Sequence, residues 1–367
     1  MTGKPPVRFG LLRLADSAPA VVALQRGLFS ELGLTVELSV EPSWANIVDK
    51  LAYGLLDAAA MLPPLALAAA LGLRGPPARL LVPMGLSGGG NTITVRREVA
   101  DAIAGSAAPQ GAMAKGRALG EWLHAQPAPP RFAVVHAFST HNLLLRYWLA
   151  ASGVDPDRDI ATVVIAPEQV EAALADGRIV GFCAGAPWGE LAERNGSGRH
   201  LMGTSDVWAN HPEKCVAVAE PWANANPLAL QRLLRGLLQA QRLCEQPGAA
   251  DWVAHLLAGQ PLRLPVTAVR ACLPGGSATE RIRFRAGLAW YPRRSQAIWF
   301  LTQMRRWGWV GSEIDLPAAA GQLYRPDLLA AAADAEGLAW PDTVTEPDGG
   351  FCDGAISDRT KISNDRN

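Results

Sequence analysis

Polar and aromatic residues stand where predicted strands end or predicted helices begin. The set is Trp44, Asn91, His141, Gly185 and Lys214. Tryptophan, asparagine, histidine and lysine side chains all donate hydrogen bonds, and a glycine lets a ligand approach the backbone N–H closely. The chemistry that these residues could perform together is therefore binding. Taken singly, each has an ordinary structural explanation, such as a core tryptophan, a turn asparagine or a solvated lysine.

The usual sequence motifs for zinc, nucleoside phosphates and dinucleotides do not occur in the sequence. It contains no HExxH, no Walker loop and no GxGxxG after the first predicted strand. The six histidines lack metal-ligand spacing, and His211 with Cys215 offers only two ligands. Ser87 to Gly90 could cradle a phosphate, although such a run is more often a tight turn. We therefore expect a protein that is not an enzyme and that carries no cofactor or metal.

Composition narrows the class of ligand. The 367 residues include 34 basic and 34 acidic side chains, so the formal net charge is zero. A surface that binds nucleic acid directly normally needs a clear basic excess, but a small anion pocket does not. Hydrophobic residues make up 49% of the chain, and its length is about right for two domains.

The sequence predicts a cytoplasmic protein without a membrane span. The longest charge-free apolar stretch, residues 58–73, is too short to cross a bilayer and contains two prolines. The N-terminus has no secretory pattern, although a protein whose leader was already removed is the alternative. The five cysteines are odd in number and lack CxxC spacing, which indicates buried, reduced thiols.

Hydrophobic patterning alternates predicted strands and helices over residues 7–95 and again over 132–194. Residues 105–130 between them are rich in Ala, Gly and Pro, and the last third of the chain is mostly helical. Such alternation predicts α/β blocks whose parallel-type sheets are covered by helices. Ligands then bind beyond the carboxyl ends of the strands. Residues 48–64 and 170–187 share a helix–glycine–strand–proline order, which favours two related lobes with a cleft between them.

At the candidate residues the chain resembles the nitrate and bicarbonate binding proteins of ABC importers, the NrtA/CmpA family. The likeness covers roughly residues 6–310 and includes EPSWANIVDKL, STHNLLLRYWLAASGVDPDRD, FCAGAPW and DVWANHPEKC. The resemblance implies a two-lobed periplasmic-binding-protein (type II) architecture with the ligand between the lobes. We place lobe I at 1–95 plus 221–340, lobe II at 96–220 and a flexible tail at 341–367.

The resemblance also implies which residues surround the anion. By motif, the family's nitrate ligands fall on Trp44, Asn91, His141, Gly185 and Lys214. The chain departs from the family at Asn91, where the family has a glutamine, and at Ala186, where it has a glutamate. Bicarbonate-binding members are less similar because they carry an acidic residue where Lys214 stands. Nitrate is a weak base that needs donors and positive potential, and a lysine and a helix N-terminus supply both.

Within that family the chain is most similar to the leaderless cytoplasmic sensors of the NasS type. The resemblance implies a nitrate/nitrite sensor that holds an RNA-binding antiterminator, the NasT-type ANTAR-domain regulator, and releases it when nitrate binds. The alternative is the substrate-binding component of a nitrate ABC importer with its leader missing. An enzyme on the same fold is less favoured. We expect Lys214→Glu to abolish nitrate binding while the fold survives, since a cleft lysine should not be a core residue.

Overall fold

The computed structural model describes residues 5–105, 108–340 and 350–355. Its strands are β1 (Val7–Leu11), β2 (Val36–Val40), β3 (Ala58–Met61), β4 (Leu80–Gly89), β5 (Asn91–Arg96), β6 (Arg131–Val134), β7 (Ala161–Val164), β8 (Gly181–Gly185), β9 (Gly198–Gly203), β10 (Pro212–Ala219) and β11 (Ile282–Arg283).

The α-helices pack against these strands and against one another. They are α1 (Ala18–Gln25), α2 (Leu28–Glu31), α3 (Trp44–Ala52), α4 (Pro63–Ala70), α5 (Arg97–Ala104), α6 (Gly111–His124), α7 (Thr140–Ala151), α8 (Val170–Ala175), α9 (Trp188–Arg194), α10 (Glu220–Ala225), α11 (Pro227–Cys244), α12 (Ala249–Ala258), α13 (Val266–Cys272), α14 (Arg294–Arg306), α15 (Leu316–Leu323) and α16 (Ala330–Ala335). Among the described residues, no helix is long and apolar enough to cross a bilayer.

The strands form two sheets, which confirms the predicted α/β class with two lobes. The first sheet has the order β11-β4-β10-β3-β1-β2, and the second has β7-β6-β8-β5-β9. The prediction of parallel-type sheets is wrong in part. β1 pairs in parallel with β2 and β3, but β10 is antiparallel to β3 and β4, and β5 is antiparallel to β8 and β9. The predicted alternation ended at residue 194, so β9 and β10 were not predicted, and β10 follows β9 without an α-helix between them.

The chain crosses between the sheets at two places. The first crossing is at Gly90, between β4 and β5, and the second lies between β9 and β10. The predicted lobe limits at 95 and 220 therefore put β5 and β10 on the wrong side. Ser87 to Gly90 is also not a separate loop, because β4 continues through Gly89. Gly89 and Gly90 have φ values of +65° and +83°, a backbone region that favours glycine and lets the chain turn sharply here.

Helix α7 lies between the two halves of the molecule. Ten of its twelve residues are buried, since it packs against β8 on one side and against α14 on the other. Arg146 of α7 sits over the rings of Trp307 and Trp309, at 4.2 and 5.3 Å from their centroids, and pairs with Asp157 at 2.6 Å. These contacts fix the helix whose first turn carries a candidate site residue.

Part of the predicted tail is packed against the core. Phe351 is buried and stacks at 5.1 Å from Trp208 and 5.5 Å from Trp299. The prediction of a flexible tail is therefore wrong for residues 350–355. Its other residues, 341–349 and 356–367, lie outside the described part of the chain.

Candidate anion-binding site

The five residues selected from the sequence lie together between the two sheets. Lys214 of β10 and Trp44 of α3 come from the side of the first sheet, whereas Asn91, His141 and Gly185 come from the side of the second. Lys214 is only 2% exposed, and its Nζ lies 5.6 Å from the centroid of the Trp44 ring. Five elements far apart in sequence thus contribute residues around one ammonium group.

Two carboxylates that the sequence analysis did not select hold that ammonium group. Lys214 Nζ donates to Glu213 Oε1 at 2.6 Å and lies 2.8 Å from Asp16 Oδ2. Both carboxylates are at most 5% exposed at the side chain. The lysine is therefore a paired core residue, so the expectation that it stands outside the core is wrong.

A β-bulge explains how Glu213 and Lys214 face the same site. Successive side chains of a strand normally point to opposite faces. In β10, however, the register against β4 shifts between Pro212 and Lys214 and again between Lys214 and Cys215. Such a bulge re-aims side chains locally. Glu213 stood beside Lys214 in the sequence, but alternation alone would have turned it away.

Asn91 and Gly185 are paired on neighbouring strands of the second sheet. Asn91 is the first residue of β5 and pairs with Gly185, the last residue of β8. The Asn91 amide Nδ2 donates to Glu213 Oε2 at 2.6 Å, which links the two halves of the site. A Cβ added to Gly185 would lie 3.3 Å from Asn91 Oδ1 and 3.8 Å from Asp16 Oδ2, so glycine keeps its backbone close to the charged groups.

His141 is in the first turn of α7, whose N-terminus is capped because Asn142 N donates to Ser139 Oγ at 3.2 Å. The backbone N–H of Val135 donates to His141 Nε2 at 3.3 Å, which assigns the ring proton to Nδ1. That Nδ1 is buried and has no hydrogen-bond partner within the described part of the chain; Glu213 Oε1 is 3.7 Å away. The histidine thus keeps an unused donor beside the carboxylate.

Trp44 presents a second unused donor. It opens α3, which Ser43 caps by accepting a hydrogen bond from Asn46 N at 3.2 Å. Its indole Nε1 is buried and finds no partner among the described residues. A buried donor without an acceptor costs about 1–3 kcal/mol, so these two donors favour a ligand that brings acceptors into the site.

Burial and the neighbouring charges shift the pKa values of the site in opposite directions. Burial raises the pKa of Asp16, although Lys214 opposes the shift. Burial also pushes the pKa of Glu213 upward, but the Lys214 charge and the His141 imidazole outweigh it and hold the value at about 2. Burial lowers the pKa of His141 despite the neighbouring Glu213, and it lowers that of His211 to about 4. Both imidazoles are therefore neutral near pH 7.

A group of metal-ligand types lies away from this site. Glu190, Glu193 and His200 place one ligand atom each within 4.8 Å of one another, although the sequence showed no such spacing. Arg194 already pairs with Glu190 at 2.7 Å, and His200 Nδ1 is 3.0 Å from Glu193. Ordinary ion pairing accounts for this group.

The fold and the site define a two-lobed binding protein of the periplasmic-binding-protein class. A profile described as the NMT1-like family matches residues 2–258. The chain belongs to the NMT1-like family.

Comparison with known proteins gives relatives within that class. The nitrate/nitrite binding protein NrtA of Synechococcus elongatus is 31% identical over 90% of this chain and 78% of its own. The crystal structure of the periplasmic nitrate-binding protein NrtA from Synechocystis PCC 6803 superposes with a TM-score of 0.87 at 26% identity, covering 96% of this chain and 94% of that one.

Other relatives are longer transport proteins. The nitrate import ATP-binding protein NrtC of Synechocystis is 33% identical over 91% of this chain, and the chain spans only about half the length (50%) of this relative. Identity to bicarbonate transport ATP-binding proteins named CmpC is similar, at 34% over 83% of the chain. Overall identity therefore does not separate nitrate relatives from bicarbonate relatives, and the choice between the anions rests on the site.

Proposed function

We propose that the chain binds nitrate or nitrite at Lys214, between the two sheets. The observation that carries the proposal is a pair of buried donors, Trp44 Nε1 and His141 Nδ1, that have no hydrogen-bond partner among the described residues and lie beside a buried ammonium group. A planar monovalent anion has acceptors for both donors and charge for the lysine. The names of the NrtA relatives support the same ligand.

Binding requires the two sheets to separate. The side chains of Trp44, Asn91, His141 and Lys214 are at most 2% exposed, so solvent does not reach Lys214 in this arrangement. An anion that enters has to take over contacts that Lys214 now makes with Asp16 and Glu213. The site therefore links ligand binding to lobe movement, and an equilibrium of open and closed forms follows.

Thermal melting tests the anion proposal. Nitrate at about 100 times its Kd should stabilise the native state by about 2.7 kcal/mol if it binds only that state. Melts in sodium nitrate, sodium nitrite and sodium bicarbonate are compared with sodium chloride at equal ionic strength. Equal melting temperatures in nitrate and chloride would remove the proposal, and a shift in bicarbonate alone would reassign the ligand.

We further propose that the protein is a cytoplasmic sensor whose anion state controls a protein partner. This finer proposal rests on the NasS-like motifs around Trp44, His141 and Lys214. A partner that binds only the open form is negatively coupled to nitrate, because each ligand shifts the same equilibrium. The partner expected from the resemblance is a NasT-type ANTAR-domain antiterminator.

Gel filtration of the chain with such a regulator tests the sensor role. The complex should form without nitrate and dissociate when nitrate is added. Trp44→Ala should keep the complex together in nitrate, since one of the donors for the ion is gone. A wild-type complex that nitrate leaves intact, or the absence of any complex, contradicts the sensor role but not anion binding.

A transport role is the second candidate. Its specific support is that the relatives are named as binding or import proteins and that the chain covers 78% of one NrtA. The discriminating measurement is nitrate uptake by cells that lack the chain. Lost uptake with unchanged expression of nitrate-assimilation genes favours transport, whereas altered expression with unchanged uptake favours sensing.

A further inference from the structure

The charges in the site do not match those of a simple anion receptor. Counted from its ion pairs, the site sets two carboxylates, Asp16 and Glu213, against one ammonium group, that of Lys214. Burial lowers the pKa values of His141 and His211, so these imidazoles add no positive charge. The sum is one negative charge in a place that solvent does not reach. An incoming anion would raise the net charge of the site to two negative units, and like charges in a buried site repel strongly.

A proton taken up with the anion removes this conflict. We propose that Asp16 and Glu213 make the site accept a monovalent anion only together with one proton, and that Asp16 receives the proton. The inference rests on the proposed anion binding and adds its specificity. With a proton on Asp16, the occupied site carries Glu213, the anion and Lys214, and its charge remains at one negative unit.

The geometry favours Asp16 over the other acceptors. Asp16 Oδ2 relies on Lys214 Nζ at 2.8 Å, and an anion that draws the ammonium group away leaves this carboxylate unpaired. Glu213 keeps a second partner, because Asn91 Nδ2 donates to it at 2.6 Å. Burial already raises the pKa of Asp16, whereas that of Glu213 stays at about 2. A protonated Asp16 gains an O–H that can donate to the anion.

Other titratable groups surround Asp16. Lys214 and Glu213 face it from β10, and His141 faces it from α7. His211 acts on Glu213 from the crossing before β10, where its Nε2 lies 2.8 Å from Thr204 Oγ1. His141 is the competing acceptor, but its Nε2 already accepts from a backbone N–H, and protonating Nε2 would break that bond.

The same charges exclude dianions. A dianion would need two protons to keep the buried charge unchanged, and Glu213 resists protonation because its pKa is about 2. Sulfate should therefore not stabilise the protein at any pH between 6 and 8. Affinity for nitrate should fall as pH rises, by up to about tenfold per pH unit, because binding one proton with the anion couples the two equilibria.

Calorimetry measures the proton directly. Nitrate is titrated into the full chain at one pH in two buffers with different ionisation enthalpies, and the difference in heat gives the number of protons taken up. We expect close to one proton per nitrate for the wild type and close to zero for Asp16→Asn. Asp57→Asn is the matched control, since Asp57 is a buried carboxylate paired with Arg8 at 2.6 Å outside the site, and it should keep the uptake.

The outcomes separate the two proposals. No heat and no melting shift with nitrate means that anion binding itself is wrong. Nitrate binding with no proton uptake and a flat pH dependence overturns the proton coupling and leaves anion binding intact. If a folded Asp16→Asn variant still takes up a proton with nitrate, another group receives the proton and the role of Asp16 is overturned. If Asp16→Asn does not fold, two wild-type measurements decide whether binding is coupled to a proton. They are the number of protons taken up per nitrate and the pH dependence of nitrate affinity.

Discussion

Replacing Lys214 by methionine removes the only cation that Asp16 and Glu213 contact at hydrogen-bond distance among the described residues. Breaking a buried ion pair from one side typically costs about 3–5 kcal/mol. Protonation of Asp16 limits this cost: forcing a carboxyl with an unfolded pKa of about 3.9 to be neutral at pH 7 costs about 4 kcal/mol. Glu213 keeps its bond from Asn91. We therefore expect Lys214→Met to lower the free energy of unfolding by about 3–4 kcal/mol at pH 7.

The pH dependence of that loss provides the sharper test. The cost of keeping the Asp16 carboxyl neutral falls by about 1.4 kcal/mol for each unit that the pH is lowered. At pH 5.5 the variant should therefore lose only about 2 kcal/mol of the free energy of unfolding. Urea unfolding followed by tryptophan fluorescence at both pH values measures the difference. Arg270→Met is the control, because Arg270 pairs with Asp251 at 2.9 Å and both side chains are more than half exposed, at 54% and 66%.

The control should lose less than about 1 kcal/mol, as partly exposed pairs do. If Lys214→Met were no less stable than Arg270→Met, the two carboxylates would not depend on the lysine, and the charge count of the site would be wrong. A large loss that does not shrink at pH 5.5 would contradict proton uptake by Asp16 in the variant. Lys214→Glu should be at least as damaging, since it adds a third buried carboxylate.

Three further outcomes follow from buried groups. Burial holds the pKa of His211 at about 4, below an unfolded value of about 6.5, so its contribution to stability is full above pH 6.5 and is lost as pH falls. This histidine alone should account for about 2 kcal/mol of the free energy of unfolding lost by pH 5, as measured by urea unfolding. Glu280→Ala should cost about 1–3 kcal/mol in the same assay, because it leaves the backbone N–H at the first crossing without its acceptor, and Glu280→Gln should cost less. Gly189→Ala puts a Cβ 1.9 Å from Thr92 Oγ1 and should cost about 1–3 kcal/mol in thermal melts, whereas Gly321→Ala, with open space around it, should not destabilise.

Local sequence determined where several candidate residues stand. Trp44 begins α3 directly after its cap Ser43, and His141 is the second residue of α7, whose cap is Ser139; both caps form. Gly185 ends a buried strand, as its flanking apolar and turn residues indicated. These placements depend on a few neighbouring residues, so the local sequence pattern was sufficient to predict them. That the five residues act together as anion ligands remains a prediction.

Tertiary structure alone decided the charge of the site. Asp16 and Lys214 are far apart in the chain and meet only because β1 and β10 lie in one sheet with β3 between them. Glu213 joins them through a register shift in β10, which is a property of strand pairing and not of sequence spacing. The sequence by itself determined an α/β chain with donors at strand ends and helix starts. Strand pairing and burial between the lobes then placed one of those donors, Lys214, in the core beside two carboxylates. Long-range contacts decided this, because they determine which charged groups are buried together.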